Sequence, residues 1–389
     1  MTKVLTGIEV LKEKGINILK GKRLGLLCNS ASLDSSLTHS KFVLNSLFPN
    51  SLKILFSPQH GISLTEQDNM IESTDGYDED LKIPVFSLYS KTRSPTPEML
   101  DLIDTLIVDL QDVGCRVYTF SSTVLSCLRE CAKVGKEVVI LDRPNPMGGA
   151  IVEGNVLEDK MRSFVGPFPL PMRHGLTMAE MALMFNQVMN IDCELRIIKM
   201  KGWNRNMLWE DTGLYWVMPS PNMPTVRTAM VYPGQVLWEG TNISEGRGTC
   251  RPFEIFGSPY LNTKIIRKEL PPLKGCVLQE IHFRPKFNKW ANELCRGFFI
   301  HITDPKHFRP FMMTLTLIHT IIRLFKEDFC WRDPPYEYEY NQLPIDIIIG
   351  SNKLRKDIER GKDLTLIRAE IDSQLDQYLE FRKRYLLYE

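Results

Sequence analysis

Between Val231 and Tyr260 the chain runs VYPGQVLWEGTNISEGRGTCRPFEIFGSPY, with glutamates at Glu239, Glu245 and Glu254 and arginines at Arg247 and Arg251. Carboxyl groups at this density can donate and accept protons, and planar guanidinium groups can pair with them or clamp an anion. Trp238, Phe253, Ile255 and Phe256 bracket the segment with apolar mass. A carboxylate held against such a wall has its acidity perturbed. The competing reading is a surface turn of Glu–Arg ion pairs, which the flanking apolar residues disfavour. Glu239 and Glu245 are therefore the leading catalytic carboxylates, although either can instead bind Arg247 or Arg251 structurally.

Positioning such groups takes a rigid scaffold. Val231 to Trp238 reads as a buried strand broken by a Pro-Gly turn, which makes Glu239 to Thr249 a polar loop at a strand end. Upstream, Arg23–Cys28, Leu52–Phe56, Thr105–Leu110 and Glu137–Leu141 are short apolar runs, and Val85–Leu88 is a shorter one. Segments with helical spacing lie between them, notably Thr119–Val134. Near-continuous Val/Ile/Leu runs alternating with helices predict an α/β fold with a mostly parallel sheet covered on both faces. Polar residues follow these strands at once: Asn29; Gln59 and His60; Gln111 and Asp112; Asp142, Arg143 and Asn145. Ligands in such folds bind outside the carboxyl ends of the strands.

A Gly- and Pro-rich insertion from Pro144 to Leu176 carries Glu153, Arg173 and His174. After it, Thr177 and Glu180 form a capping box that opens a helix to Met189, so Glu180 is structural. The proline-rich PSPNMP segment, Pro219–Pro224, suits a boundary between two domains, 1–225 and 226–389. Two domains also follow from the length of 389 residues. Beyond the boundary, Gly297–Thr303 reads as a strand and His307–Phe325 as a helix. A charged helix after Leu364 is expected to be exposed, and assembly through it is one structural alternative to catalysis.

Several chemistries lack support. There is no G-x-G-x-x-G after the first strand, no phosphate-binding G-x-x-x-x-G-K-[ST] and no G-x-S-x-G elbow. The seven histidines show no metal-ligand spacing, so neither a metal nor a cofactor is expected. With 48 basic and 47 acidic residues, nothing points to nucleic acid or an anionic membrane. Nine scattered cysteines without a C-x-x-C pair, a start without an apolar leader and no long apolar run predict a cytoplasmic protein. What remains is a cleft of Asp, Glu, Asn, Gln, Arg and aromatics, the chemistry of sugar recognition and carboxylate acid–base work.

Eight motifs, in order along nearly the whole chain, resemble the NamZ family of exo-acting β-N-acetylmuramidases. They are SPQHG (57–61), IPVFSLYS (83–90), DLQDVGCRVYT (109–119), LDRPNPMGG (141–149), VEGNVL (152–157), PMRHGLT (171–177), PSPNMPT (219–225) and EGTNISEGRGTCRPFE (239–254). The resemblance implies a Rossmann-like N-terminal domain, a smaller α/β C-terminal domain and an active site in the cleft between them. It implies metal-independent release of N-acetylmuramic acid (MurNAc) from the non-reducing end of peptidoglycan saccharides, in cell-wall turnover or recycling. One departure matters: where the family commonly reads G-P-E-H-G, this chain has Gln59, which cannot transfer a proton as the family's glutamate is thought to do. Either another carboxylate serves, with Glu72 nearest and Asp112 and Glu153 further candidates, or the chain binds an amino sugar without cleaving it. Arg116, Arg143, Arg173 and Arg247 compete for the lactyl carboxylate of MurNAc. Tyr118 is a stacking candidate, His60 can orient the Gln59 loop, and Asn29, Gln111, Asn145, His174, Asn222, Thr241, Asn242 and Arg251 complete the expected saccharide contacts.

Overall fold

A computed structural model describes residues 3–14, 17–65, 67 and 70–389 of the chain. The apolar runs form β1 (Leu24–Leu27), β2 (Leu52–Ser57), β4 (Ile83–Ser87), β5 (Thr105–Val108) and β6 (Glu137–Leu141), with a short β3 (Gly76–Asp78) and β9 (Leu195–Ile198) at the edges. Their order is β3-β4-β2-β1-β5-β6-β9, parallel throughout except for the antiparallel β3–β4 pair. Every residue of β1, β5 and β6 is buried, which is why these strands read as unbroken apolar runs. The helix Phe120–Lys133 covers one face, and Met178–Val188 follows the capping box of Thr177 and Glu180.

The second half carries a three-stranded antiparallel sheet, β10 (Ile255–Ser258), β12 (Cys295–Ile302) and β11 (Cys276–Phe283). The long helix Pro310–Leu324 accompanies it. The seven-stranded sheet is confined to residues 24–198 and the three-stranded one to 255–302. One hydrophobic cluster nonetheless runs through both, from Leu27 and Phe56 to Trp238, Phe298 and Ile348. No helix among the described residues is long and apolar enough to cross a membrane.

Two local expectations are corrected. The Val231–Trp238 stretch is not a strand: it is the end of a helix, Val226–Gln235, continued by a 3-10 turn, Val236–Gly240. Thr225 caps the helix by accepting from the Thr228 amide. Gly234 lets it press against the Pro310 carbonyl, where an added Cβ would lie 2.0 Å from the oxygen. A short apolar run does not reveal its period, and the cap upstream decided it. The Gly- and Pro-rich insertion has secondary structure of its own. It folds into a two-stranded ribbon, β7 (Glu153–Val156) with β8 (Pro171–Arg173). The terminal helix Leu364–Arg382 is only half exposed: Ile367, Ile371, Leu375 and Tyr378 line its buried face. Tyr378 donates to the His174 carbonyl, and Arg382 to the carbonyls of Gly149 and Gly175, so this helix holds the insertion in place.

Candidate active site

Gln59 and His60 at the end of β2, Tyr118 to Phe120 at the start of a helix, Ser220 and Asn222, and Glu239, Arg247 and Phe253 from the glycine-rich stretch enclose one cavity. Tyr336 and Glu337 close it. About 40 Å³ is open to the centre of a water molecule. A water needs about 10–15 Å³ by that measure, so the cavity as it stands has room for a few waters. Backbone strain gathers here. His60, Glu337, Tyr338 and Phe253 all have positive φ, between 46° and 72°, a conformation that costs side-chain-bearing residues energy and concentrates at functional sites.

Glu337 is buried, with its Oε2 accepting from the Tyr89 hydroxyl at 2.6 Å and its Oε1 from the Gln59 amide at 3.3 Å. The Thr119 hydroxyl donates to Gln59 Oε1 at 2.6 Å, which turns the amide nitrogen toward Glu337. Burial raises the pKa of Glu337 above the ordinary glutamate value. The Tyr89 bond opposes that rise, and the nearby charge of Glu239 reinforces it. The Arg93 guanidinium lies over the rings of Tyr89 and Tyr338, at 4.2 and 4.1 Å, joining the neighbour of Glu337 to the tyrosine that bonds its carboxylate.

Glu239 is held differently. Its Oε1 meets Arg247 at 2.7 Å and its Oε2 accepts from the Tyr336 hydroxyl at 2.7 Å. Those bonds aim an ion-paired carboxylate at the cavity that Glu337 also lines. Glu245 lies behind Arg247 rather than on the wall, 2.7 Å from Lys289 and 3.5 Å from the Arg247 Nε. Burial pushes its carboxyl up, but the charges of Lys289 and Arg247 outweigh that and hold it below the usual range. Lys289 also donates to the carbonyls of Trp238, Thr241 and Ile243, tying the loop that carries Glu239 to the β11–β12 connection. Removing one partner of a buried pair leaves the other charge uncompensated, so Glu245→Gln is expected to cost about 3 kcal/mol. Urea unfolding of the variant measures that loss, and an unchanged midpoint would contradict it.

The remaining candidates do not reach the cavity wall. Asn29 donates to the Pro219 carbonyl and Gln111 to the Pro144 carbonyl. Asp112 accepts from the Gly114 amide and faces His174 at 3.4 Å. Asn145 donates to the Leu176 carbonyl. Arg116 is buried and donates to four carbonyls, those of Asn155, Leu170, Ile348 and Ile349. Arg143 pairs with Asp109, and Arg173 donates to the Met147 carbonyl. Glu153 accepts the Met312 amide at the start of the helix Pro310–Leu324, and burial pushes its carboxyl up to about 7. Arg251 is exposed and pairs with Glu254. Glu72 is also exposed, near Arg93. Thr241 and Asn242 line a second, open groove on the far side of Tyr336. Asn29, Gln111, Asp112, Asn145, Arg116, Arg173 and Glu153 bond to backbone because the loops around them carry amides and carbonyls that need partners. Among the described residues no cluster of three His, Cys, Asp or Glu converges.

Sequence reasoning passed over Tyr89, Tyr336 and Glu337. The visible signal was PPYEYEY at 334–340, an alternation of aromatic and carboxylate residues.

A small buried cavity with one arginine-paired carboxylate and one carboxyl of raised pKa has the make-up of a glycoside-cleaving site. Two family models, Exo-beta-N-acetylmuramidase NamZ, N-terminal and C-terminal, match residues 24–227 and 230–388. The chain belongs to this exo-β-N-acetylmuramidase family of glycosidases. The peptidoglycan β-N-acetylmuramidase NamZ of Bacillus subtilis (strain 168) is 40% identical over 389 residues, covering 99% of this chain and 92% of that protein. A DUF1343 family protein from Bacteroides fragilis NCTC 9343 superposes with a TM-score of 0.87 at 32% identity, covering 100% of both chains. A second from the same organism gives 0.77 at 28% identity, covering 100% of this chain and 99% of that one.

Proposed function

We propose that this chain hydrolyses the terminal MurNAc from the non-reducing end of peptidoglycan-derived saccharides, with Glu337 as the acid and Glu239 as the charge-stabilising carboxylate. The observation that carries this reading is the contrast between two carboxyl groups on one wall. Glu337, buried and with its pKa raised, can hold a proton to give to the glycosidic oxygen as the bond breaks. Glu239, bonded to Arg247 and Tyr336, faces the positive charge that develops at the anomeric carbon. Water then bonds to that carbon and gives up a proton, which restores Glu337 to its acid form. Gln59 then orients Glu337 instead of transferring a proton itself. Family membership and the Bacillus relative support the substrate class.

Nine cysteine thiols without a disulfide support a cytoplasmic location, where the released sugar would feed recycling. The separate sheets and the two matched spans support a division near residue 225, with the cavity walled from both parts. The test is turnover of a chromogenic MurNAc glycoside beside its N-acetylglucosamine (GlcNAc) counterpart. Steady cleavage of the first with little of the second is expected. Saturable binding without turnover would make the chain a binding protein instead.

A further inference from the structure

The open groove beyond Tyr336 is the larger space, about 590 Å³, within the range of small-ligand sites. It shares Tyr336 with the buried cavity, so the two spaces adjoin at that ring. Its two cations differ in what they have left to give. Lys289 spends its donors on three carbonyls and the Glu245 carboxylate. Arg332 is exposed, is bonded to Gly240 only through its backbone amide, and has no carboxylate partner among the described residues. The other open cleft against the cavity, at His60, measures about 400 Å³. Its Lys41 is already neutralised by Asp78 and Asp80, and Glu79 adds a further negative charge to that wall. An anion is therefore drawn to the Tyr336 side and repelled from the His60 side.

We infer that the groove beyond Tyr336 binds the leaving portion of the saccharide, and that Arg332 recognises a carboxylate on it. This rests on the glycosidase reading above. A strand alternating MurNAc and GlcNAc places the next lactyl carboxylate on the second sugar past the scissile bond. A guanidinium at the groove wall meets that group with paired hydrogen bonds.

The experiment measures binding of the disaccharide GlcNAc–MurNAc, which has no MurNAc at its non-reducing end to lose, against chitobiose, which has no carboxylate. Wild type and Arg332→Gln are compared at low salt by calorimetry. Wild type is expected to prefer GlcNAc–MurNAc by about tenfold, as a charge-assisted bond at a surface site allows, and Arg332→Gln is expected to abolish that preference. Equal affinity for the two ligands in wild type, binding of neither, or a preference that survives in Arg332→Gln would each overturn the assignment. Turnover of the aryl MurNAc glycoside is measured on the same wild-type preparation. If that turnover is missing, the glycosidase reading fails; if it is present and the preference is not, only the groove assignment fails.

Discussion

Glu337→Gln lowers turnover of a MurNAc-terminated saccharide by roughly 10²–10⁴, the usual contribution of a positioned acid, while the fold is retained. The amide keeps the size of the side chain and its oxygen still accepts from Tyr89, so only the long 3.3 Å bond from Gln59 is given up. What is lost is the proton. The pH dependence follows from the direction of the pKa shift. The acid acts in its protonated form, so wild-type kcat/KM falls as pH rises through the raised pKa of Glu337. In Glu337→Gln that descending limb disappears. The same group links stability to pH. Its native pKa lies above the unfolded one, so its contribution is full below the ordinary glutamate value and is lost as pH rises through the raised value. A pH–rate profile of both proteins checks the prediction. Gln59→Glu sharpens it: a carboxyl in place of the amide 3.3 Å from Glu337 would share its proton. The descending limb then moves to higher pH.

Glu239→Gln is expected to reduce kcat by about 10²–10³, the cost of removing one preorganised electrostatic partner of the transition state. The variant should still bind substrate, because the loss falls on a charge needed when the anomeric carbon becomes positive. It also carries a signature that a merely structural role would lack. The negative charge of Glu239 is one cause of the raised pKa of Glu337. Removing that charge lowers the pKa, so the descending limb of the remaining activity shifts to lower pH. A large loss of kcat without that shift would separate the two carboxyls, and no loss at all would make Glu239 a partner for Arg247 and nothing more.

The strands were legible because burial on both faces keeps them almost wholly apolar, and the Thr177–Glu180 capping box was legible because its partners are three residues apart. Gln59, His60, Tyr118, Asn222, Glu239 and Arg247 were also placed in the site by residue type and motif, and they line one cavity. The strand-end rule overreached at Asn29, Asp112, Arg143 and Asn145. Composition cannot distinguish a polar group facing a ligand from one satisfying the next loop. Asp142 makes the point, as it accepts from Thr177, the Ala179 amide and Tyr388. Burial nonetheless pushes its carboxyl up to about 6. Glu337 escaped notice because nothing local marks it. Its partners Gln59 and Tyr89 lie 278 and 248 residues away, and only the folded chain makes it buried. Glu245 was taken for a cavity residue because it shares a glycine-rich loop with Glu239, yet six residues along that turn its side chain faces Lys289.

The assignment of Glu337 as the acid is tested most directly by varying the leaving group. A dinitrophenolate departs without needing a proton, whereas a sugar hydroxyl does not. The account predicts that Glu337→Gln cleaves a dinitrophenyl MurNAc glycoside at close to the wild-type rate and loses roughly 10²–10⁴ on a MurNAc–GlcNAc disaccharide. Equal losses on both substrates would mean that Glu337 shapes the cavity without giving up a proton, and would contradict the assignment.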